Sequence, residues 1–211
     1  MCRVKVLLAD DHTLFLEALR RLLEPEYEVV GTVNDGRAAL TAARKLKPDV
    51  VVLDIGMPLL NGLDAARQFH ATSPAPKLIF LTMNPDPDVA REALRLGASG
   101  YLLKTSAASE LGKAIRQALR GLKYVTPSVE KGLEELFIEN PRGKKRRDVL
   151  SSREREVLQL LAEGRLMKEV GDILHLTPRT IAYHKYKMMA TLRVKTTAEL
   201  IQYAVKNKLV G

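Results

Sequence analysis

Apolar positions along the first 125 residues switch back and forth between two periods. Val4 to Ala9 reads as a buried strand, and Phe15, Leu19, Leu22 and Leu23 then recur at helical spacing. A second apolar stretch, Val29 to Val33, precedes an alanine-rich helix around Arg37 to Leu46. Val50 to Leu53 is apolar on both faces and too short for a helix; a helix follows from about Leu63, and Leu78 to Leu81 forms a fourth strand. Val89, Ala93 and Leu96 mark another helix ended by Gly97, Tyr101 to Leu103 is a fifth strand, and Leu111, Ile115, Ala118 and Leu122 give a last helix. Five strands alternating with five helices predict an α/β fold, a five-stranded parallel sheet covered on both faces. Functional side chains in such sheets gather at the C-terminal ends of the strands.

The pattern breaks at residues 123–147. Pro127 opens a short helix with Val129, Leu133, Leu136 and Phe137 on one face, and Asn140-Pro141-Arg142-Gly143 stops it. Four consecutive cations, Lys144 to Arg147, complete what reads as a linker between a first domain, 1–122, and a second, 148–211. The second is all helix. Ser151 and Glu154 have capping-box spacing ahead of Val157, Leu160 and Leu161, and a second helix covers Met167 to Leu174. Thr177 caps a third with Pro178 at its first position, and a fourth runs from Thr197 to Lys206, which makes an all-α domain of four helices.

Charge sharpens the division. Of the net +9, residues 1–125 carry +3 (17 Lys/Arg, 14 Asp/Glu) and residues 126–211 carry +6 (17 against 11), so an anionic partner is expected at the C-terminal half, nucleic acid being the commonest. A single cysteine, Cys2, excludes an intrachain disulfide framework. No run approaches the roughly 20 apolar residues of a membrane span, and Asp10 and Asp11 arrive before a signal-peptide core could form, so the expected compartment is the cytoplasm, with no membrane partner.

The candidate chemistry lies at the strand ends. Asp10 and Asp11 end the first strand, Asp54 the third, Thr82 the fourth and Lys104 the fifth, and a parallel sheet brings all five to one edge. Packed carboxylates raise one another's pKa unless a cation neutralises them, and oxygen ligands with room for water suit Mg²⁺. A hydroxyl and an ammonium beside them suit a phosphoryl group on one carboxylate. Any one of these residues alone would read as a helix cap or surface charge; the shared register argues otherwise. There is no Gly-rich turn after the first strand, no serine or cysteine beside a histidine, and His12, His70, His175 and His184 are scattered, so a dinucleotide-binding enzyme, a hydrolase or a zinc protein is not expected.

The blocks LLADDH, VVVLDIGMPLLNG, IFLT and GASGYLLK resemble the signature blocks of response-regulator receivers over residues 3–122, which have a doubly wound, flavodoxin-like sheet. The resemblance implies that Asp54 is the phosphoacceptor, fed by a sensor histidine kinase. It implies that Asp11 and Asp54 bind Mg²⁺ directly, with the Gly56 carbonyl, while Asp10 acts largely through water. It also implies that Lys104 pairs with phosphoryl oxygens, that Thr82 engages one after modification, and that Tyr101 is a switch aromatic rotating inward. Pro85 and Pro87 depart from the family pattern and predict a late-starting following helix.

In the C-terminal half, Ile181, His184, Met188 and Leu192 share one helical face, which leaves Arg179, Ala182, Tyr183, Tyr186 and Lys187 on the open one. Cations and aromatics facing outward fit a DNA major groove. The blocks LSSREREVLQLLAEG, TPRTIAYHKYKMMATLRV and AELIQYA resemble the LuxR-type helix-turn-helix over residues 149–209, and with the receiver the whole resembles the NarL/FixJ class of transcription regulators. By that resemblance Lys168, Thr177 and Arg179 meet phosphates and Ala182, Tyr183 and Tyr186 read bases; Lys185 and Lys187 are expected to add phosphate contacts. The implied function is phosphorylation-controlled binding of promoter DNA as a homodimer, with RNA polymerase a further candidate partner and no catalysis beyond gain and loss of the phosphoryl group at Asp54. Rival readings are DNA binding indifferent to phosphorylation, and a helical half that binds protein.

Overall fold

The computed structural model describes residues 3–69, 75–139 and 149–210, the side chains of 137–139 excepted. The expected Asn140–Gly143 stop and the basic run Lys144–Arg147 lie outside the described residues. The sheet is built from β1 (Lys5–Ala9), β2 (Glu28–Val33), β3 (Val50–Leu53), β4 (Lys77–Thr82), β5 (Gly100–Leu103) and β6 (Tyr124–Val125), all parallel, in the order β2-β1-β3-β4-β5-β6. Every register is consistent with the apolar pattern: β1 and β3 pair Val6 with Val50 through Ala9 with Leu53, all eight residues buried. Both faces of these strands are covered, and they have no polar alternation for that reason.

Helices α1 (Thr13–Leu23) and α5 (Ala107–Leu119) cover one face, closing over Val6, Leu8, Val50, Val52, Ile79 and Leu81. On the other face, α2 (Gly36–Leu46), α3 (Gly62–Phe69) and α4 (Pro87–Arg95) close over Leu7, Val51, Leu53 and Phe80. The strand order reverses between β1 and β3, which opens a crevice at their C-terminal ends. The loop after β3 must turn back tightly there: a Cβ on Gly62 would stand 2.1 Å from the Asp54 carbonyl oxygen, and one on Gly36 the same distance from the Leu60 carbonyl oxygen.

Two features differ from the sequence expectation. The sheet has a sixth strand where the linker was expected to begin: Tyr124 and Val125 pair with Gly100 and Tyr101, a stretch too short to register in any periodicity. The short helix α6 (Pro127–Glu139) then lies on α4, with Val129 and Leu133 buried in the same core as Phe80. Pro87 has its place in this contact. It opens α4 at the first helical position, after Asp86 caps the helix, and packs so closely on α6 that a Cβ on Gly132 would lie 2.8 Å from its Cγ. α4 thus begins at Pro87, with residues 83–86 between it and the end of β4.

The C-terminal domain is formed by α7 (Ser152–Ala162), α8 (Met167–Leu174), α9 (Pro178–Leu192) and α10 (Thr197–Lys206) around Val157, Leu160, Val170, Leu174, Ile181, Met188 and Leu200. Ser151 and Glu154 form the expected capping box. The turn between α8 and α9 is tight: His175 takes a left-handed conformation, the Leu176 N–H donates to the Gly171 carbonyl (2.9 Å), and a Cβ on Gly171 would meet the Leu176 carbonyl oxygen at 2.6 Å.

Candidate functional site

The strand-end residues converge as the sheet topology requires. Asp10, Asp11, His12 and Asp54 each place a ligand atom within 4.8 Å of the others. Lys104, at the end of β5, reaches across the crevice: its Nζ lies 2.7 Å from Asp10 Oδ2 and 2.9 Å from Asp54 Oδ2, and 5.2 Å above the Phe15 ring. Asp54 is 5% exposed. Burial pushes its carboxyl above the ordinary range and Asp10 adds repulsion, against hydrogen bonds from Lys104 and the Gly56 backbone. Burial also works against the charge on Lys104, but its two carboxylate partners hold the ammonium above its ordinary range. The cluster therefore stands only partly charge-compensated by one lysine, and its oxygen-rich donor set with exposed Asp11 fits a hard divalent cation.

The loop after β4 joins this site through Asn84. The Asn84 N–H donates to Thr82 Oγ1 (3.1 Å), and its carbonyl accepts from the Tyr101 hydroxyl (2.7 Å). Tyr101 is fully buried, and burial together with Asp86 and Asp54 raises its phenol well above the ordinary range. Here it already points inward, pinned beneath the loop it was expected to reach only after a rotation.

A set of contacts without any sequence forecast joins the two halves. Arg155, Gln159 and Glu163 recur every fourth residue along α7 and its C-cap, and all three meet the receiver. Arg155 Nε donates to Asp64 Oδ1 (2.6 Å), with side chains 8% and 2% exposed. Gln159, 1% exposed, donates to the Met57 carbonyl (3.0 Å) and accepts from the Asn61 N–H (2.8 Å). Glu163 accepts from the Leu59 N–H (3.0 Å). Leu59 has φ +63°, a left-handed backbone that costs a leucine about 1–2 kcal/mol, and its side chain packs on the C-terminal core. Lys208, just past α10, pairs with Asp86 and lies 3.5 Å from Asn84 Oδ1. Burial opposes ionisation of Asp86, yet Lys208 and the Asp88 N–H hold its carboxyl below the ordinary range. The only signal in the sequence was a polar stripe at i, i+4, i+8, in which Gln159 is the one polar residue of the otherwise apolar run Val157–Ala162.

The expected DNA-reading face is open. Lys168, Thr177 and Arg179 are exposed, Ala182 and Lys185 half-buried, and Tyr183 and Tyr186 are 62% and 64% exposed. Thr177 caps α9, accepting from the Thr180 N–H, while Lys185 Nζ sits 5.7 Å from the Tyr186 ring. Lys187 is exposed and also pairs with Glu154 on α7 (2.9 Å), which ties α9 to the first helix of the domain. Burial opposes ionisation of Glu154, but Lys187 and Ser151 hold its carboxyl down to about 2. A carboxyl depressed on folding stabilises above its unfolded pKa and loses that contribution as pH falls toward 2. Glu154→Ala removes the capping box and this half-exposed pair together. It should cost the C-terminal domain about 1–2 kcal/mol in denaturant titration at pH 7. An unchanged midpoint would show that neither contact contributes to stability.

Comparison with known proteins agrees with both halves. Residues 6–116 match the response regulator receiver domain family, and residues 148–204 the luxR family of bacterial regulatory proteins. The transcriptional regulatory protein LiaR of Bacillus subtilis is 34% identical over 210 residues, covering 99% of this chain and 100% of LiaR. DegU of Brevibacillus brevis is 31% identical, covering 97% and 94%. Among solved structures, the RcsB response regulator of Salmonella typhimurium is 31% identical with a TM-score of 0.64 over 98% of both chains. An RcsB–DNA complex, 31% identical, gives a TM-score of 0.61 over 97% of this chain and 98% of that one. With its strand-end carboxylates, bridging lysine and open recognition helix, the chain belongs to the NarL/FixJ-class response regulators, two-component proteins in which a receiver places DNA binding by a LuxR-type helix-turn-helix under the control of phosphorylation.

Proposed function

We propose that Asp54 is the phosphoacceptor and that its modification drives two protomers to pair on promoter DNA. The observation that carries this reading is Lys104 bridging Asp10 and Asp54 at the sheet edge. One Asp54 oxygen attacks the phosphorus of a kinase phosphohistidine; the P–O bond forms as the P–N bond breaks, and the leaving imidazole takes up a proton. Lys104 follows the charge onto the phosphoryl oxygens, and the Thr82 hydroxyl donates to one of them after giving up the Asn84 N–H. Asp11 and Asp54, with the Gly56 carbonyl, would hold Mg²⁺ directly and Asp10 through water; the ion supplies neutralisation of the phosphoryl charge. Hydrolysis of the acyl phosphate returns Asp54.

An uncovered recognition face favours control by pairing over control by unmasking. Lys168, Arg179 and Lys185 would fix the helix on phosphates, Thr177 would contribute from the cap, and Ala182, Tyr183 and Tyr186 would face base edges. Lys187, exposed and paired with Glu154, also positions the helix. The working compartment in this reading is the cytoplasm, where a sensor kinase and RNA polymerase are reached. Removal of the metal is the test. Acetyl phosphate should modify Asp54 with Mg²⁺ present and should fail to do so with the ion chelated, and sedimentation should show a dimer only in the modified sample. Modification indifferent to chelation, or a modified protein that stays monomeric, would overturn the reading.

A further inference from the structure

The docked position of the C-terminal domain has an unusual distribution of contacts. Its DNA-reading residues make no hydrogen bond or ion pair with the receiver among the described residues, whereas α7 and the end of α10 sit on the two loops that flank Asp54. Gln159 and Glu163 hold the loop after β3 at Met57, Leu59 and Asn61, and Lys208 holds the loop after β4 at Asn84 and Asp86. Between the halves lies a cavity of about 940 Å³ with Asp54, Thr82 and Lys104 at its base. Its far wall comes from the C-terminal domain: Glu163, Val205, Lys208, Leu209 and Val210. That volume is at the upper end of small-molecule sites, about 300–1,000 Å³. A helix presenting a phosphohistidine is about 10–12 Å across with its side chains. A small acyl phosphate fits such a space; a helix does not.

We propose that the docked DNA-binding domain is a removable wall of the phosphorylation site, one that limits which phosphodonors reach Asp54, and that it does so without covering the DNA-reading helix. The inference rests on Asp54 being the phosphoacceptor. Its logic is two-state. While docked, Gln159 and Glu163 keep Leu59 in its left-handed conformation and Lys208 keeps Asn84 over Tyr101. When Thr82 is drawn to a phosphoryl oxygen it releases the Asn84 N–H, and the loop that Lys208 grips must shift. Phosphorylation and docking therefore oppose each other, and whatever loosens docking speeds modification at Asp54.

The test uses full-length protein with acetyl phosphate and Mg²⁺. Arg155→Ala combined with Gln159→Ala removes the buried α7 contacts to Asp64, Met57 and Asn61, leaving Glu156 with Arg37 and Gln68 and Glu163 with Leu59, and Asp64 retains Arg67 and Asn61 as partners. Lys208→Ala, an exposed change that poses little risk to folding, loosens the other end. Both variants should raise the initial rate of Asp54 modification, by about tenfold for the double change. Affinity of the unmodified variants for duplex DNA should stay within about twofold of wild type. Tighter DNA binding by the unmodified variants with unchanged kinetics at Asp54 would overturn the proposal, because docking would then be masking DNA contacts. If wild type and variants alike take no phosphoryl group, the phosphoacceptor reading itself fails and the wall has nothing to guard.

Discussion

Asp54→Asn should abolish modification by acetyl phosphate altogether, leaving an unmodified mass after times that fully label the wild type. The amide keeps the shape of the side chain and can still accept from the Ile55 N–H, which now donates to Asp54 Oδ1 at 2.7 Å. What it loses is the nucleophilic charge and the pull on Lys104. Asp11→Ala is a second arm of the same experiment. Asp11 is exposed beside the buried Asp10–Lys104–Asp54 triad, so its loss should leave the fold intact and remove a direct oxygen from the metal position. A divalent cation held there would supply several kcal/mol of charge stabilisation, so the rate should fall by about a hundredfold or more. Equal labelling of Asp54→Asn would move the phosphoacceptor elsewhere.

The second large effect is expected on the open face of α9. Ala182, Tyr183 and Tyr186 offer none of the bidentate forks with which arginine reads guanine. A tyrosine ring can pack on a thymine methyl while its hydroxyl makes one hydrogen bond, and both tyrosines are free to do so. Tyr186→Ala should lower discrimination at the affected base pair by roughly 1–3 kcal/mol, with little change on a scrambled duplex. Lys168→Ala should weaken every duplex alike and lower the slope of log affinity against log salt by about one. Titration of both variants at several salt concentrations, against an in vitro selected site and its scrambled counterpart, separates the two roles. Equal losses on both duplexes for Tyr186→Ala would make the tyrosine a scaffold or phosphate contact.

The parts of this account that could be read from the sequence share a cause. Asp10, Asp54, Thr82 and Lys104 lie far apart in the chain, but each ends a strand whose apolar run announces it, and a parallel sheet has one place to put strand ends. The same holds for Ser151–Glu154 and Thr177, where capping chemistry is local. The contacts between the halves are of another kind. Arg155 and Asp64 are 91 residues apart and Gln159 and Asn61 are 98 apart, and no periodicity pairs them. The inward Tyr101, the left-handed Leu59 and the pairing of Lys187 with Glu154 are likewise settled by tertiary neighbours, since each side chain would suit several positions on its own backbone.

Control of DNA affinity from Asp54 is the central claim, and one titration tests it most directly. Wild type and Asp54→Asn, each with and without acetyl phosphate and Mg²⁺, are measured against the same selected duplex at fixed salt. The account predicts that treatment tightens binding by the wild type about tenfold, through pairing of protomers, and leaves Asp54→Asn unmoved. A wild type that is fully modified yet binds as before, or an Asp54→Asn protein that responds as the wild type does, would contradict it.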